Sequence, residues 1–588
     1  MNREWRIVFG DGEKCRRTLI GFWEDENPLL SWRKLILFRG ALCLAVSHHG
    51  DKSPVLFLRS PLKADWGYIL LNADIQNKMK LTNSWANSLG TSLPSLYDLF
   101  TQDGRNYMAD LIENVIRAKR NNPKSLAVVD RKNSTSYEDL LGLSYKYAHA
   151  INSIAKHSRV AIMLPQSVDA YASMIGTLMA GGYYCPINVS LPVFRKKQII
   201  DIFSPDLIIC TKEELNGLEI ASVKNVITPQ TLPDKIGAIS KDYHELAYVI
   251  FTSGSTGVPK GVMIRREAIS HFLDWSIEEY RVTKGDVWGQ FSNLGFDLSV
   301  VDIFTCLGGG GTLVPISSPK DRLMPAMAIR DFQITIWHSV PSVIDLINKA
   351  KQLTVENLRS LRLASFCGEP LMPQTIEMLL GIVPNMKIFN TYGPTETTVF
   401  CTFIELNKDS YKDYCNTTLS IGNPIPGWNI DLAGGSTDTE GEIVIWGDYI
   451  GAGYWKNDIE TKARYHTFVK DNSDHPAFYT GDWAEKVEKN LYFRSRIDRQ
   501  VKIHGHRIEL GEIDYFIREF GVLSCCSVIK EDRIYSFIEI TDIDKKQLRE
   551  YLSEKLPQYA IPYEFINIDL LPRNQNDKID AKQLVAML

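Results

Sequence analysis

Residues 248–262 read YVIFTSGSTGVPKGV, and the fold turns on this stretch. An apolar β-type run ends in a loop of Gly, Ser and Thr with a single lysine, Lys260. Such a loop offers backbone N–H groups, hydroxyls and a cation to phosphate oxygens. Glycine lets the backbone come close. The obvious rival is the nucleotide loop G-x-x-x-x-G-K-[ST], and it does not fit, because Lys260 follows Pro259 and precedes Gly261 where Ser or Thr is required. A flexible surface loop is the plain alternative, and it predicts no companion motifs elsewhere.

At 588 residues the chain is long enough for several subdomains. It is 44% apolar and 23% charged with a formal net charge of -4, the balance of a water-soluble globular protein. That balance gives no electrostatic support for a nucleic-acid partner. The ten cysteines are scattered without a C-x-x-C spacing, so neither a zinc site nor a disulfide framework is indicated. The N-terminus lacks the apolar core of a signal peptide, and LILFRGALCLAV (35–46) is too short to span a bilayer. No membrane partner and a cytoplasmic location are expected, and Asn133, Asn188 and Asn416 then carry no glycosylation meaning.

The expected fold class is α/β, in three parts. Residues 1–95 carry short apolar runs (WRIVFG, PVLFLRS, WGYILLN) between turn residues, a β-rich N-terminal extension of unassigned role. Over 96–497 the runs RVAIMLP, DLIIC, AYVIFTS, TIWHSVP, RLASFCG and KIFNTYG alternate with helical patterns such as SVDAYASMIGTLMAGG. That rhythm predicts layers of helices on parallel strands, with the active site at the strand ends. Residues 498–588 form a smaller, mobile α+β part. Gly308–Gly311 (LGGGGTL) are read as a turn before a strand, since no helix and no downstream acid follow.

Companions to the loop are present and in order: FNTYGPTETTV (389–399), YTGDW (479–483), SRIDRQVKIHGHRIELGEID (495–514), LPQYAIP (556–562) and NQNDKID (574–580). With SGSTGVPKGV they resemble the motif series of the adenylate-forming superfamily, in particular the amino-acid adenylation domains of nonribosomal peptide synthetases. The resemblance runs from about Leu96 to Leu588. FDLSVVDIF, WHSVPS, FCGEPL and FNTYGPTE lean further, toward stand-alone D-alanine:carrier-protein ligases.

The resemblance implies a large adenylation core, a small C-terminal domain that moves, and a reaction in two halves. A carboxylate attacks the α-phosphorus of ATP and releases pyrophosphate, and a thiol then captures the acyl group. ATP and Mg²⁺ are the implied cofactors. Thr252, Ser253, Gly254, Ser255, Thr256 and Gly257 match the loop that holds the outer phosphates, with Lys260 positioning it. Within NTYGPTE, where Asn390 and Gly393 flank the nucleotide site, Tyr392 matches the ring that packs on adenine, Thr395 the α-phosphate ligand and Glu396 the Mg²⁺-associated carboxylate. Asp482 matches the acceptor of both ribose hydroxyls, a task for two carboxylate oxygens. Arg496 would contact ribose or phosphate, with Ser495 standing where the family more often has Gly. Asp498 matches the hinge, where an ordinary linker charge is the alternative. Lys578 matches the lysine that bridges the substrate carboxylate and the ATP phosphate. Here the chain departs from the usual N-G-K, since Asp577 replaces Gly and adds a negative charge beside the lysine. After the first half the family swings its small domain and presents the KIHGHRIELGE loop, with Gly505, to the thiol arm.

Asp297 in GFDLSV matches the aspartate that pairs with the α-ammonium of an amino-acid substrate. A helix N-cap is the alternative for that residue. The resemblance places Leu298, Val301, His338, Ser365, Cys367, Gly368, Thr391, Val399 and Phe400 around the side-chain pocket. Cys367 favours alanine, and a hydrogen bond from His338 would favour serine, which ranks second. The chain stops ten residues after Lys578, so a carrier protein with a phosphopantetheine arm is expected to act in trans. Two other readings stay open: a coenzyme A ligase of small carboxylic acids, which Asp297 opposes, and a non-catalytic binding protein of the same fold, for which Asp577 speaks.

Overall fold

Short apolar runs without polar alternation belong to strands covered on both faces. In the computed structural model of the chain, RVAIM, LIIC, IWHS and LASF form such strands at Arg159–Met163, Leu207–Cys210, Ile336–Ser339 and Leu363–Phe366. The chain divides into two units, Met1–Tyr107 and Met108–Leu588. In the first, the structure describes only the backbone of four strands. In the second it describes 111–588 apart from 219–223, 234–241, 255, 540–542 and 575–578.

The four strands of the first unit, Trp32–Phe38, Leu42–His49, Lys52–Arg59 and Trp66–Leu70, pair antiparallel in chain order. Residues 54–59 of PVLFLRS and 66–70 of WGYILLN fall on the last two, whereas WRIVFG (5–10) lies outside the described residues.

The second unit carries two large sheets. The six-stranded sheet runs in the order Val226–Ile227, Leu207–Cys210, Arg159–Met163, Tyr183–Pro186, Leu246–Thr252, Lys260–Arg265, parallel except for its last strand. The nine-stranded sheet has a parallel middle, from Lys387–Tyr392 through Leu363–Phe366, Ile336–Ser339, Val287–Gln290 and Thr312–Pro315 to Leu126–Val129, and antiparallel strands at both ends. Helices Val168–Met179 and Leu298–Gly309 are largely apolar and buried on almost every face. One apolar cluster joins Val160 and Ile162 of the first sheet, through Ile175 and Ile303, to Trp288 and Ile336 of the second. Gly308 and Gly309 close the helix Leu298–Gly309, and Gly310 turns the chain with φ +87 into strand Thr312–Pro315.

A five-stranded antiparallel sheet from Asn429 to Arg496 completes the large part. After it come the hairpin Gln500–Ile503/His506–Glu509 and a three-stranded sheet flanked by helices Leu510–Glu519, Lys545–Lys555 and Ala581–Ala586. These residues build their own apolar clusters, one around Ile513, Phe516, Leu548 and Leu552 and another around Val528, Phe537 and Leu584. Among the described residues no helix is long and apolar enough to cross a membrane.

Candidate active site

Strands Tyr183–Pro186, Leu246–Thr252, Ile336–Ser339, Leu363–Phe366 and Lys387–Tyr392 all end on one cavity of about 150 Å³, where Pro186, Thr252, Val340, Cys367 and Gly393 form its wall. Ligands of open α/β sheets bind at this edge because the loops there diverge and leave room.

Where the motifs lead one to expect phosphate, the wall is Thr252, Ser253 and Thr395. The loop 253–259 joins strand Leu246–Thr252 to its antiparallel neighbour Lys260–Arg265, so it closes a hairpin and no helix follows. That connection rules out the strand–loop–helix of the rival nucleotide loop. Two glycines are forced. A Cβ on Gly254 would stand 2.0 Å from the Val258 carbonyl oxygen, and Gly257, at φ +76, would meet the Tyr515 ring at 2.6 Å. Thr256 is exposed, and Ser255 lies outside the described residues. The Lys260 ammonium does not enter the cavity but donates to Glu460 Oε1 at 2.5 Å, bracing the loop from behind.

Asp482 and Arg496, expected from the motifs to meet the nucleoside, also line the cavity. Asp482 Oδ2 accepts from the Tyr392 hydroxyl and Oδ1 from Arg496 Nη1, each at 2.6 Å. The carboxylate is thereby held fixed with lone pairs to spare. Arg496 also grips Asp498 through Nε and Nη2, both at 2.7 Å, and Arg464 reaches the same carboxylate at 3.1 Å. Burial opposes ionisation of Asp498, but the two guanidinium groups hold its carboxyl below the ordinary carboxylate range. Asn390 is not a cavity residue: its side chain donates to the Ser420 carbonyl at 2.7 Å.

Of the residues expected around an amino-acid substrate, Asp297, Leu298, Cys367, Gly368 and Val399 stand in the cavity wall. Asp297 stands at the start of helix Leu298–Gly309 but makes no side-chain cap, so the N-cap alternative is not what its carboxylate does. Its Oδ2 is buried without a partner. Burial raises its pKa from 3.8 to about 6, with the Thr395 hydroxyl and Lys502 acting in the opposite direction. Five expected pocket residues stand behind the wall. His338 Nδ1 pairs with Asp302 Oδ1 at 2.9 Å, Ser365 Oγ with the Tyr280 hydroxyl at 2.8 Å, and Thr391 Oγ1 donates to the Phe366 carbonyl at 2.9 Å. Val301 and Phe400 are fully buried in the core. Lys578 lies outside the described residues.

The motif reading named no role for several residues that matter here. The hairpin Gln500–Ile503/His506–Glu509 enters the cleft and is held at three points. Gly505 N–H donates to Glu369 Oε1 at 2.5 Å, and Arg507 O accepts from Ser253 Oγ at 2.9 Å. Arg507 Nη1 lies 3.0 and 2.9 Å from the two oxygens of Glu396. Glu396 is 0% exposed, and its Oε1 accepts a further bond from the Tyr454 hydroxyl at 2.7 Å. Burial works against its charge, yet Arg507 outweighs burial and holds the carboxyl below its ordinary value. Gly505 sits at φ +78, and a Cβ would come within 2.4 Å of Val340. Arg507, Lys502 and Glu369 all lie inside quoted motifs, but only the packing of the hairpin distinguishes them from neighbours. Tyr454 lies in none.

The model of AMP-binding enzymes matches residues 115–455, well over half of the chain. The chain belongs to the AMP-binding enzyme family. Among curated relatives of this AMP-binding enzyme are the D-alanine--D-alanyl carrier protein ligases of Staphylococcus aureus strains bovine RF122 / ET3-1 and Newman. Each is 32% identical over 502 residues, covering 82% of this chain and 100% of the relative. Among solved structures, the Vibrio cholerae adenylation domain AlmE in complex with glycyl-adenosine-5'-phosphate has the same fold. Its TM-score is 0.72 at 23% identity, over 83% of this chain and 99% of that one. IdnL7 aligns at TM-score 0.61 and 26% identity, over 82% and 99%.

Proposed function

We propose that this AMP-binding enzyme uses ATP to convert a small amino acid to its aminoacyl-AMP and passes the acyl group to the phosphopantetheine thiol of a separate carrier protein. The observation that carries the reading is the buried, unpartnered Oδ2 of Asp297 in the same cavity as Thr252, Thr395, Asp482 and Arg496. A desolvated carboxylate with an open valence calls for a cationic partner, and the α-ammonium of an amino acid supplies one. With the ammonium held there, the amino-acid carboxylate faces the phosphate side and attacks the α-phosphorus, and pyrophosphate leaves. In the second half the carrier thiolate attacks the acyl carbonyl, and AMP leaves with the bond electrons. Holding the reacting groups in line is one part of what such a site offers. Thr395 and Ser253 are assigned to phosphate oxygens, Asp482 and Arg496 to the ribose, Asp498 to the hinge and Lys578 to the bridge between carboxylate and phosphate.

The small acyl wall of Leu298, Cys367 and Val399 and the relatives' D-alanine support alanine as substrate. Serine loses the support it drew from His338, which pairs with Asp302 behind the wall. For Mg²⁺, no three His, Cys, Asp or Glu side chains come together among the described residues. The assigned carboxylate, Glu396, is saturated by Arg507 and Tyr454. With the hairpin docked the residues do not fit a metal ion, and no step is assigned to one. The test is pyrophosphate exchange into ATP with every common amino acid in both hands. Exchange confined to small amino acids, alanine foremost, is expected, and no amino-acid-dependent exchange with any of them refutes the reading.

A further inference from the structure

The cations of the cavity wall are matched by acids, with one exception. Arg195 is paired with Glu512, Arg496 with Asp482 and Arg507 with Glu396. Two wall charges of opposite sign are left over, Asp297 and Lys502, and among the described residues neither forms an ion pair. Lys502 stands on strand Gln500–Ile503 directly opposite Arg507 on His506–Glu509. Two cations facing each other across a hairpin repel. Both oxygens of Glu396 neutralise Arg507, whereas the counter-charge for Lys502 is left to a ligand of the cavity. The Lys502 charge is felt where an acyl group is expected: burial raises the pKa of Asp297 and of Cys367, and Lys502 is among the groups acting against burial at both. An α-amino acid carries its ammonium and its carboxyl group on one carbon atom. A substrate seated on Asp297 therefore turns its carboxyl oxygens toward the one open cation of the same small cavity.

We infer that Lys502 is a catalytic residue for thiol capture, its ammonium donating to the acyl carbonyl oxygen of the bound aminoacyl-AMP. The thiol gives its proton to water, the thiolate sulfur bonds to the carbonyl carbon, and the carbonyl π electrons move onto the oxygen that faces Lys502. They return as the carbon–oxygen bond to phosphate breaks. AMP leaves with that bond's electron pair, and a thioester remains. Negative charge on the carbonyl oxygen exists only between these two events, so a fixed cation beside it lowers the barrier more than it tightens binding of the adenylate. The inference rests on the aminoacyl-adenylate reading of the cavity and adds to it a group that acts in the second half.

K502M keeps most of the side-chain stem and removes the charge. Two steps are followed in the full chain with ATP and alanine: pyrophosphate exchange, and single-turnover thioester formation with free pantetheine as the thiol probe. K502M is expected to lose about 10² to 10³-fold in the maximal rate of thioester formation, the effect of removing one oxyanion donor. Its loss in pyrophosphate exchange should be smaller by about tenfold or more, and the exchange that remains shows that the variant is folded. K502Q should show the same split. The inference is overturned if K502M forms the thioester within about threefold of the parent rate, if both steps fall by the same factor, or if the loss lies only in the pantetheine concentration required. A parent chain without exchange for any amino acid would instead refute the adenylate reading on which the inference stands.

Discussion

Replacing Asp297 by Asn removes the charge on which amino-acid recognition is argued to depend, and it should move activity and stability in opposite directions. In the folded protein burial lifts this carboxyl to about 6 from an ordinary 3.8, so carrying it ionised at neutral pH costs about 3 kcal/mol. The unfolded chain releases the proton near pH 4 and the folded chain near pH 6. Stability of the ligand-free protein therefore falls as pH rises through that window, and the full penalty persists above it. D297N escapes the penalty. In urea unfolding it should approach a gain of about 3 kcal/mol at pH 7 to 8 and none at pH 4. The substrate ammonium is what redeems the cost, so the variant loses a buried pair worth about 3 to 5 kcal/mol. That corresponds to about 10² to 10⁴-fold in kcat/KM for the amino acid in the pyrophosphate-exchange assay. In the parent, the same kcat/KM should climb about tenfold per pH unit up to about 6 and then level, because only ionised Asp297 holds the ammonium. A flat parent profile from pH 5 to 8, or D297N activity within about threefold of the parent, would refute the reasoning.

Asp482→Asn leaves the Tyr392 hydroxyl and Arg496 competing for a single acceptor oxygen, and steady-state kinetics should show KM for ATP up by about tenfold or more. Gly505→Ala meets both a positive φ and Val340, so single-turnover carrier loading should fall further than amino-acid-dependent pyrophosphate exchange. Glu512→Gln strands the buried Arg195 on helix Val193–Phe203, and denaturation should report a loss of about 3 kcal/mol; the double replacement R195M/E512L should recover most of it. Lys578→Ala should abolish most adenylate formation, about 10² to 10³-fold in exchange rate, if its cation meets charge that develops only in the transition state.

Much of this fold was legible in local sequence. RVAIM, LIIC, IWHS and LASF became strands because uninterrupted β-branched and apolar runs fit only a doubly covered sheet. The strands flanking the loop of SGSTGVPKG pair as a hairpin, and a Cβ would clash at both Gly254 and Gly257. Asp297, Asp482 and Thr395, far apart in the sequence, line one cavity. Side-chain partners were a different matter. Nothing near Lys260 in sequence announces Glu460, nothing near His338 announces Asp302, and Asn390 shares its motif with Tyr392 yet is spent on the Ser420 carbonyl.

The amino-acid sequence by itself determined which segments are strands and helices, where the phosphate-type loop sits, and which residue types could serve a nucleotide and a zwitterion. Those properties follow from backbone dihedrals and hydrophobic periodicity over a few residues. Only the tertiary structure decided that Glu396 belongs to Arg507, 111 positions away, that Gly505 is pinned by Glu369, and that Asp297, a residue of the cavity wall, keeps a buried oxygen without a partner. Pairing of buried charges is settled by which groups packing brings within hydrogen-bond reach, and that distance is a property of the folded chain.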